Sequence, residues 1–151
     1  MAKILVSLVS EQTLPNIFLI RELQDIDFYL LITTPHMEQK NKSTAIIAAS
    51  EIPADKVNTL TVPEDSMADI ENALNLLDFQ DNDHFIVNLT GGTKIMSIAV
   101  YNYFRNRESE IYYLPIGKNE YHKIFPEVKN RVNLLHYRIP ILEYMTACDV
   151  N

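Results

Sequence analysis

The 151-residue sequence predicts an α/β fold, in which a mostly parallel sheet carries helices on both faces and ends in a C-terminal β-hairpin. Three observations lead to this prediction. Short apolar runs alternate four times with helical patterns, an order that implies parallel strands and right-handed crossovers. The runs are rich in Val, Leu and Ile, as in strands buried on both faces. A turn sequence at residues 117–120 then separates two further apolar runs, which is typical of a hairpin.

Each predicted strand is an apolar run that ends at a polar loop, a glycine turn or a proline. The second run, for example, stops before Pro35, and the fourth stops where two adjacent glycines follow. The last of the predicted strands precedes Pro140. The predicted strands are residues 3–9, 27–33, 57–62, 84–88, 110–115, 121–125 and 132–139.

The predicted helices start at capping residues and show apolar side chains at the spacing of one helix face. Thr13 is the predicted N-cap of the first helix, with Pro15 in its first turn. Ser66 caps the third helix, and Pro140 opens the last one. The second helix has a ragged apolar pattern. The predicted helices are residues 16–24, 37–50, 67–77, 95–105 and 141–147.

Composition limits the classes of function. The net charge of -7 disfavours duplex nucleic acid, which usually needs a basic surface. The chain has one cysteine, no signal peptide and no apolar run of about 18 residues, so we expect a cytoplasmic protein with no membrane contact. The length suits one domain, residues 1–151, and we expect a second domain in the natural protein.

The strongest candidate site is the glycine turn, NLTGGTK at residues 88–94, which holds two of the three glycines and separates a strand from a helix. Such a turn directs free backbone N–H groups and the positive end of a helix dipole at one point, which favours an anion. Thr90, Thr93 and Lys94 add hydroxyl and ammonium donors. The turn matches neither GxxxxGK[ST] nor GxGxxG. A tight turn without a ligand remains the alternative.

Other polar loops should lie on the same edge of the sheet, because ligands of such sheets bind beyond the carboxyl ends of the strands. In the loop SEQTLPN at residues 10–16, Gln12 or Asn16 could pair with an adenine edge. His36 follows the second strand and could act as a base. The histidines show no metal-ligand spacing, so we expect neither a metal nor a cofactor.

Two motifs carry a resemblance to a known family. The segments VNLTGGTKIM at residues 87–96 and LVSEQTLPN at residues 8–16 resemble those of CRISPR-associated Rossmann-fold (CARF) domains, specifically the branch whose second domain is a metal-dependent nuclease. The resemblance implies a Rossmann-like homodimer that binds cyclic tetra-adenylate or cyclic hexa-adenylate in type III CRISPR defence. The candidate ligand-binding residues are Ser10, Gln12, Thr13, Asn16, Thr33, Thr90, Gly91, Gly92, Thr93 and Lys94.

Three functions remain open at this point. The first is a sensor that binds cyclic tetra-adenylate across a homodimer and activates an effector. The second is a metal-independent ring nuclease, in which Lys94, Ser10 and His36 would act on the ring. The third is the ligand-binding domain of a CARF transcription regulator, although this acidic domain alone should not bind duplex DNA.

Overall fold

A seven-stranded sheet forms the centre of the computed structural model, which describes residues 1–115 and 117–148. Its strands are β1 (Lys3–Leu8), β2 (Phe28–Thr33), β3 (Val57–Thr61), β4 (His84–Asn88), β5 (Ser109–Tyr113), β6 (Glu120–Phe125) and β7 (Val132–Leu134). The strand order is β3-β2-β1-β4-β5-β6-β7. All pairings from β3 to β5 are parallel, and β6 and β7 are antiparallel. The predicted sheet and its closing hairpin are therefore confirmed.

Helices cover both faces of the sheet, as predicted. The helices of the described residues are α1 (Leu14–Glu22), α2 (Pro35–Gln39), α3 (Lys42–Ser50), α4 (Met67–Asn75), α5 (Lys94–Phe104) and α6 (Ile141–Ala147). Adjacent side chains of β1 show the two layers, since Val6 packs in the core under α4 and α5 while Leu5 packs in the core under α1, α3 and α6. None of the described helices has the length and apolar character that crossing a bilayer requires.

The single helix predicted at residues 37–50 is wrong, because the structure has two helices there. α2 ends at Gln39 and α3 begins at Lys42. Between them Asn41 has φ 56°, in the left-handed region that asparagine tolerates better than most residues. This break explains the ragged pattern, and it leaves α2 as a short helix directly after β2.

The strand predicted at residues 132–139 is also too long, because β7 stops at Leu134. The following backbone is held by a side chain instead of a strand: Glu22 Oε1 accepts hydrogen bonds from the amides of His136 at 2.6 Å and Tyr137 at 2.9 Å. Burial raises the pKa of Glu22, but the hydrogen bonds from His136 and Tyr137 outweigh it and leave the pKa below its ordinary value. A carboxylate on α1 thus fixes the approach to α6.

A second carboxylate ties β4, β5 and β6 together. Glu110 accepts hydrogen bonds from His84 Nε2 at 3.2 Å and from Lys123 Nζ. Burial raises the pKa of Glu110, but the bonds from Lys123 and His84 prevail and hold it below its ordinary value of 4.5. These side chains come from three neighbouring strands, so their pairing stabilises the change from parallel to antiparallel pairing.

Candidate functional site

Loops that follow β1, β2, β3 and β4 surround a cavity of about 250 Å3 at the carboxyl edge of the sheet. We call it the turn cavity, since the glycine turn forms one wall. Parallel strands that end at one edge bring these loops together, as the sequence predicted. The cavity is lined by Val9, Ser10, Glu11, Gln12, Thr34, His36, Met37, Glu64, Gly92, Thr93 and Met96.

The glycine turn adopts a conformation that demands its glycines. Gly91 has φ +103° and Gly92 has φ +69°, both in the region that L side chains rarely adopt. A Cβ on Gly91 would lie 2.8 Å from Ser10 Oγ and 3.1 Å from the carbonyl oxygen of Leu8. The turn therefore packs directly against the end of β1, which fixes the distance between the two predicted ligand-binding loops.

Three backbone N–H groups at the start of α5 are unpaired within the part of the chain that the structure describes. The N–H groups of Gly91, Gly92 and Lys94 donate to no acceptor among residues 1–115 and 117–148. Thr93 is the N-cap, because its Oγ1 accepts from the amide of Met96 at 3.2 Å. These unpaired amides lie at the positive end of the α5 dipole, so the turn can bind an anion.

The side chain of Lys94 is exposed at the first position of α5. Within the described part of the chain it has no hydrogen-bond or ion-pair partner, and it does not line the turn cavity. Its ammonium is thus a mobile charge that can reach an anion above the turn. Direct contact of Lys94 and Gly91 with a ligand stays a prediction.

Asn88 and Thr90 hold the turn in place from within the protein. Asn88 Nδ2 donates to the carbonyl of Pro15 at 3.2 Å, and its Oδ1 accepts from the amide of Thr90 at 3.0 Å. Thr90 Oγ1 accepts from the amide of Leu114 at 2.7 Å. Sequence reasoning did not single out Asn88, although a polar residue that ends an apolar strand was a usable signal. Ligand contact by Thr90 stays a prediction, and in this structure its hydroxyl joins β4 to the end of β5.

The carboxylate of Glu11 lies within a cluster of basic groups beside the turn cavity. It forms a salt bridge with Lys40 Nζ, and it lies 3.9 Å from both Lys42 Nζ and His36 Nε2. The hydrogen bond from Lys40 is the main reason why the pKa of Glu11 lies below its ordinary value. The positive charges of Lys40 and Lys42 offset the negative charge of Glu11, so this carboxylate can lie near an anion site. Sequence reasoning missed Lys40 and Lys42, whose positions depend on the break between α2 and α3.

Thr13 occupies the N-cap position of α1, as predicted, but its hydroxyl makes no capping hydrogen bond. The hydroxyl donates instead to the carbonyl of Ala147 at 2.6 Å. Thr13 is buried and does not line the turn cavity. Its role as a ligand contact stays a prediction, while its observed contact joins the first loop to the end of α6.

Asn16 and Thr33 also direct their polar groups into the protein. Asn16 Nδ2 donates to Ser7 Oγ at 2.6 Å and to the carbonyl of Leu8 at 2.7 Å. Thr33 Oγ1 donates to Glu38 Oε2 at 3.0 Å. Both residues are fully buried, so ligand binding by them stays a prediction that requires their side chains to become accessible.

The turn cavity is smaller than a concavity of about 810 Å3 at the opposite edge of the sheet. That larger surface is lined by carboxylates, amides and two arginines. One of these, Arg107, already lies over the rings of Tyr103 at 5.0 Å and Phe79 at 5.5 Å. The turn cavity is the better candidate, because it combines unpaired amides with the strand ends where ligands of such sheets bind.

The sequence matches the family model described as the Card1 CARF domain over residues 4–144. Solved structures share the fold. Can2 from Sulfobacillus thermosulfidooxidans, in complex with cyclic tetra-adenylate, is 22% identical with a TM-score of 0.80, over 96% of this chain and 40% of that chain. Protein VC1899 from Vibrio cholerae is 14% identical with a TM-score of 0.79, over 96% and 39% of the two chains.

A type III CRISPR defence DNA nuclease activated by cyclic oligoadenylate is 16% identical, with a TM-score of 0.67 over 97% of this chain and 24% of that chain. The present chain thus spans 40% or less of the length of these three structures. No curated protein matches the sequence.

Proposed function

Because the chain belongs to the family of Card1 CARF domains, we propose that it is a sensor for a cyclic oligoadenylate, with cyclic tetra-adenylate as the preferred ring. The ring binds over the turn cavity and is shared by two chains of a cytoplasmic homodimer. Binding then activates an effector, either attached or separate, in type III CRISPR defence. The net charge of -7 does not favour duplex DNA as a further ligand.

The observation that carries the proposal is the set of unpaired amides of Gly91, Gly92 and Lys94 beside a cavity that Ser10 and Gln12 also line. Phosphates need such donors, and each charge at a helix N-terminus contributes roughly 0.3–1 kcal/mol. One turn is therefore too weak for tight binding. A ring of four nucleotides has its own two-fold symmetry, so a two-fold dimer can present two identical turns to it.

Two solved structures support the choice of ligand by similarity. Can2 is described in complex with cyclic tetra-adenylate, and the DNA nuclease is described as activated by cyclic oligoadenylate. Both contain the fold of this chain within a longer protein. The proposed effector is accordingly a second domain or a partner that responds to the dimer.

Thermal unfolding with and without ligand tests this function. A ligand at 100 times its Kd stabilises a protein by about 2.7 kcal/mol, which should raise the Tm by roughly 5–10 °C for a domain of this size. We expect this shift with cyclic tetra-adenylate but not with ATP or linear tetra-adenylate. No shift with a ring of any size would refute the proposal.

A ring nuclease is a second candidate, favoured by one observation: the His36 side chain lines the same cavity as Ser10 and lies 3.9 Å from the Glu11 carboxylate. His36 could take the proton of a ribose 2′-hydroxyl as its oxygen attacks the adjacent phosphorus; the bond to the 5′-oxygen would break, and that oxygen would take a proton from water to leave as a hydroxyl. The turn amides and Lys94 would stabilise the charge on the phosphate. Linear products in EDTA that disappear in His36→Ala would establish this activity, and intact ring after long incubation would exclude it.

A further inference from the structure

A second cavity, of about 320 Å3, lies beside the turn cavity, and Gln12 lines both. The start of α1 and the segment after β5 form its walls. We propose that this second cavity, the α1 cavity, holds a purine base of the cyclic ligand. The inference rests on the proposed function and deepens it, because it locates a base of the ring and gives a physical reason for the ring size.

The walls of the α1 cavity are apolar and include an aromatic ring. Leu14, Leu114 and Leu135 contribute aliphatic surface, and Phe18 contributes the ring. Phe18 is partly exposed, and its ring packs against the ring of Tyr137, with 6.5 Å between the two ring centroids. A planar base can stack on such a ring, and stacking accepts any base.

Polar groups at the rim can form hydrogen bonds with the edge of an adenine base. Gln12 and Asn119 are exposed, and neither carboxamide has a hydrogen-bond partner among the residues that the structure describes. A carboxamide can donate to one ring nitrogen of adenine and accept from its amino group, a pairing that uracil cannot reproduce because it has no amino group. Lys118 adds an exposed positive charge beside the same rim, where the phosphate of the bound nucleotide would lie.

The sizes of the two cavities assign one nucleotide to each. Drug-sized ligands occupy pockets of about 300–1,000 Å3. The turn cavity and the α1 cavity, at about 250 and 320 Å3, lie at the small end of this range, so each suits a single nucleotide better than a whole ring. Two chains related by two-fold symmetry would offer four such cavities, one for each base of a tetranucleotide ring. Cyclic hexa-adenylate would leave two bases without a cavity, so it should bind more weakly.

Calorimetric titration of cyclic tetra-adenylate into the full chain and its variants tests the inference. Phe18→Leu keeps an apolar side chain but removes the stacking surface, and we expect affinity to fall roughly 5- to 150-fold for each of the two Phe18 rings that one shared ligand would contact. Asn119→Ala changes an exposed side chain, and we expect a loss of about 5- to 10-fold. Phe28→Leu is the matched control, because Phe28 is exposed at the opposite end of the strands and should bind as the wild type does.

The outcomes separate the inference from the function on which it rests. Weaker binding by Phe18→Leu and Asn119→Ala, with Phe28→Leu unchanged, supports the α1 cavity. Wild-type affinity in both test variants overturns the inference and leaves the proposed sensor intact. No binding by the wild-type chain overturns both. If Phe18→Leu does not fold, the affinity of Asn119→Ala, which changes an exposed side chain, decides between these outcomes. Equal affinity for cyclic tetra-adenylate and cyclic hexa-adenylate contradicts the assignment of ring size.

Discussion

Replacing Gly91 with alanine tests whether the glycine turn is built against the end of β1. Gly91 has φ +103°, and an added Cβ would lie 2.8 Å from Ser10 Oγ and 3.1 Å from the carbonyl oxygen of Leu8. The Leu8 oxygen is backbone and cannot rotate away. Ser10 can rotate, but it then loses the hydrogen bond from its hydroxyl to the carbonyl of Gln12.

The expected cost of Gly91→Ala follows from these contacts. Backbone strain at such a φ costs about 1–3 kcal/mol, and the lost Ser10 hydrogen bond costs about 0.5–1.5 kcal/mol. We therefore expect a loss of about 1.5–4.5 kcal/mol in the free energy of unfolding. Ligand binding should fall as well, because the turn and the Ser10 loop can no longer keep their spacing.

Urea unfolding with two further variants separates strain from contact. Gly117→Ala is the matched control, since Gly117 has φ +76° but no atom within 4 Å of an added Cβ, and we expect a cost of only about 1 kcal/mol. Adding Ser10→Gly to Gly91→Ala removes the side-chain atoms that lie nearest to the new Cβ, and it should restore about 1 kcal/mol of the free energy of unfolding. The reasoning fails if Gly91→Ala costs no more than Gly117→Ala and binds the ring normally.

Three further predictions concern single side chains. Lys94→Ala should weaken cyclic tetra-adenylate binding about 3- to 10-fold and reduce its salt dependence, with an unchanged Tm; an unfolded variant would show that the residue is structural. Thr13→Val leaves the terminal carbonyl of α6 without its donor and should cost about 1–3 kcal/mol in urea unfolding, whereas wild-type stability would contradict the contact. Glu110→Gln should cost up to about 1 kcal/mol at neutral pH, since the site is partly exposed. Because the folded pKa of Glu110 lies below 4.5, its contribution is present above pH 4.5 and is lost as pH falls through the folded pKa; a difference between wild type and Glu110→Gln that grows in acid would contradict the pairing with Lys123 and His84.

The sheet and the edge that carries the site could be predicted from the sequence because both depend on local patterns. Apolar runs and capping residues define the strands and helices, and the carboxyl ends of parallel strands must meet at one edge. That placed Ser10, Gln12, Gly92 and Thr93 together, and the structure has all four at the turn cavity. His36 lies there as well, as its position after the second strand indicated.

The rest of the site depends on contacts that local patterns do not encode. The hydroxyl of Thr13 binds a carbonyl 134 positions away, and Glu22 binds a backbone amide 114 positions away. Asn41 breaks a helix by its backbone conformation, and this break brings Lys40 and Lys42 to Glu11. The sequence therefore predicted neither the contact of Thr13 with Ala147 nor the basic cluster around Glu11.

Binding stoichiometry tests the central claim most directly. Calorimetric titration of cyclic tetra-adenylate into the 151-residue chain should show tight binding that saturates at one ring for every two chains, with no heat from ATP. That ratio is what a two-fold ring shared between two glycine turns requires. Saturation at one ring per chain would contradict the shared site, and no heat from a ring of any size would contradict the sensor itself.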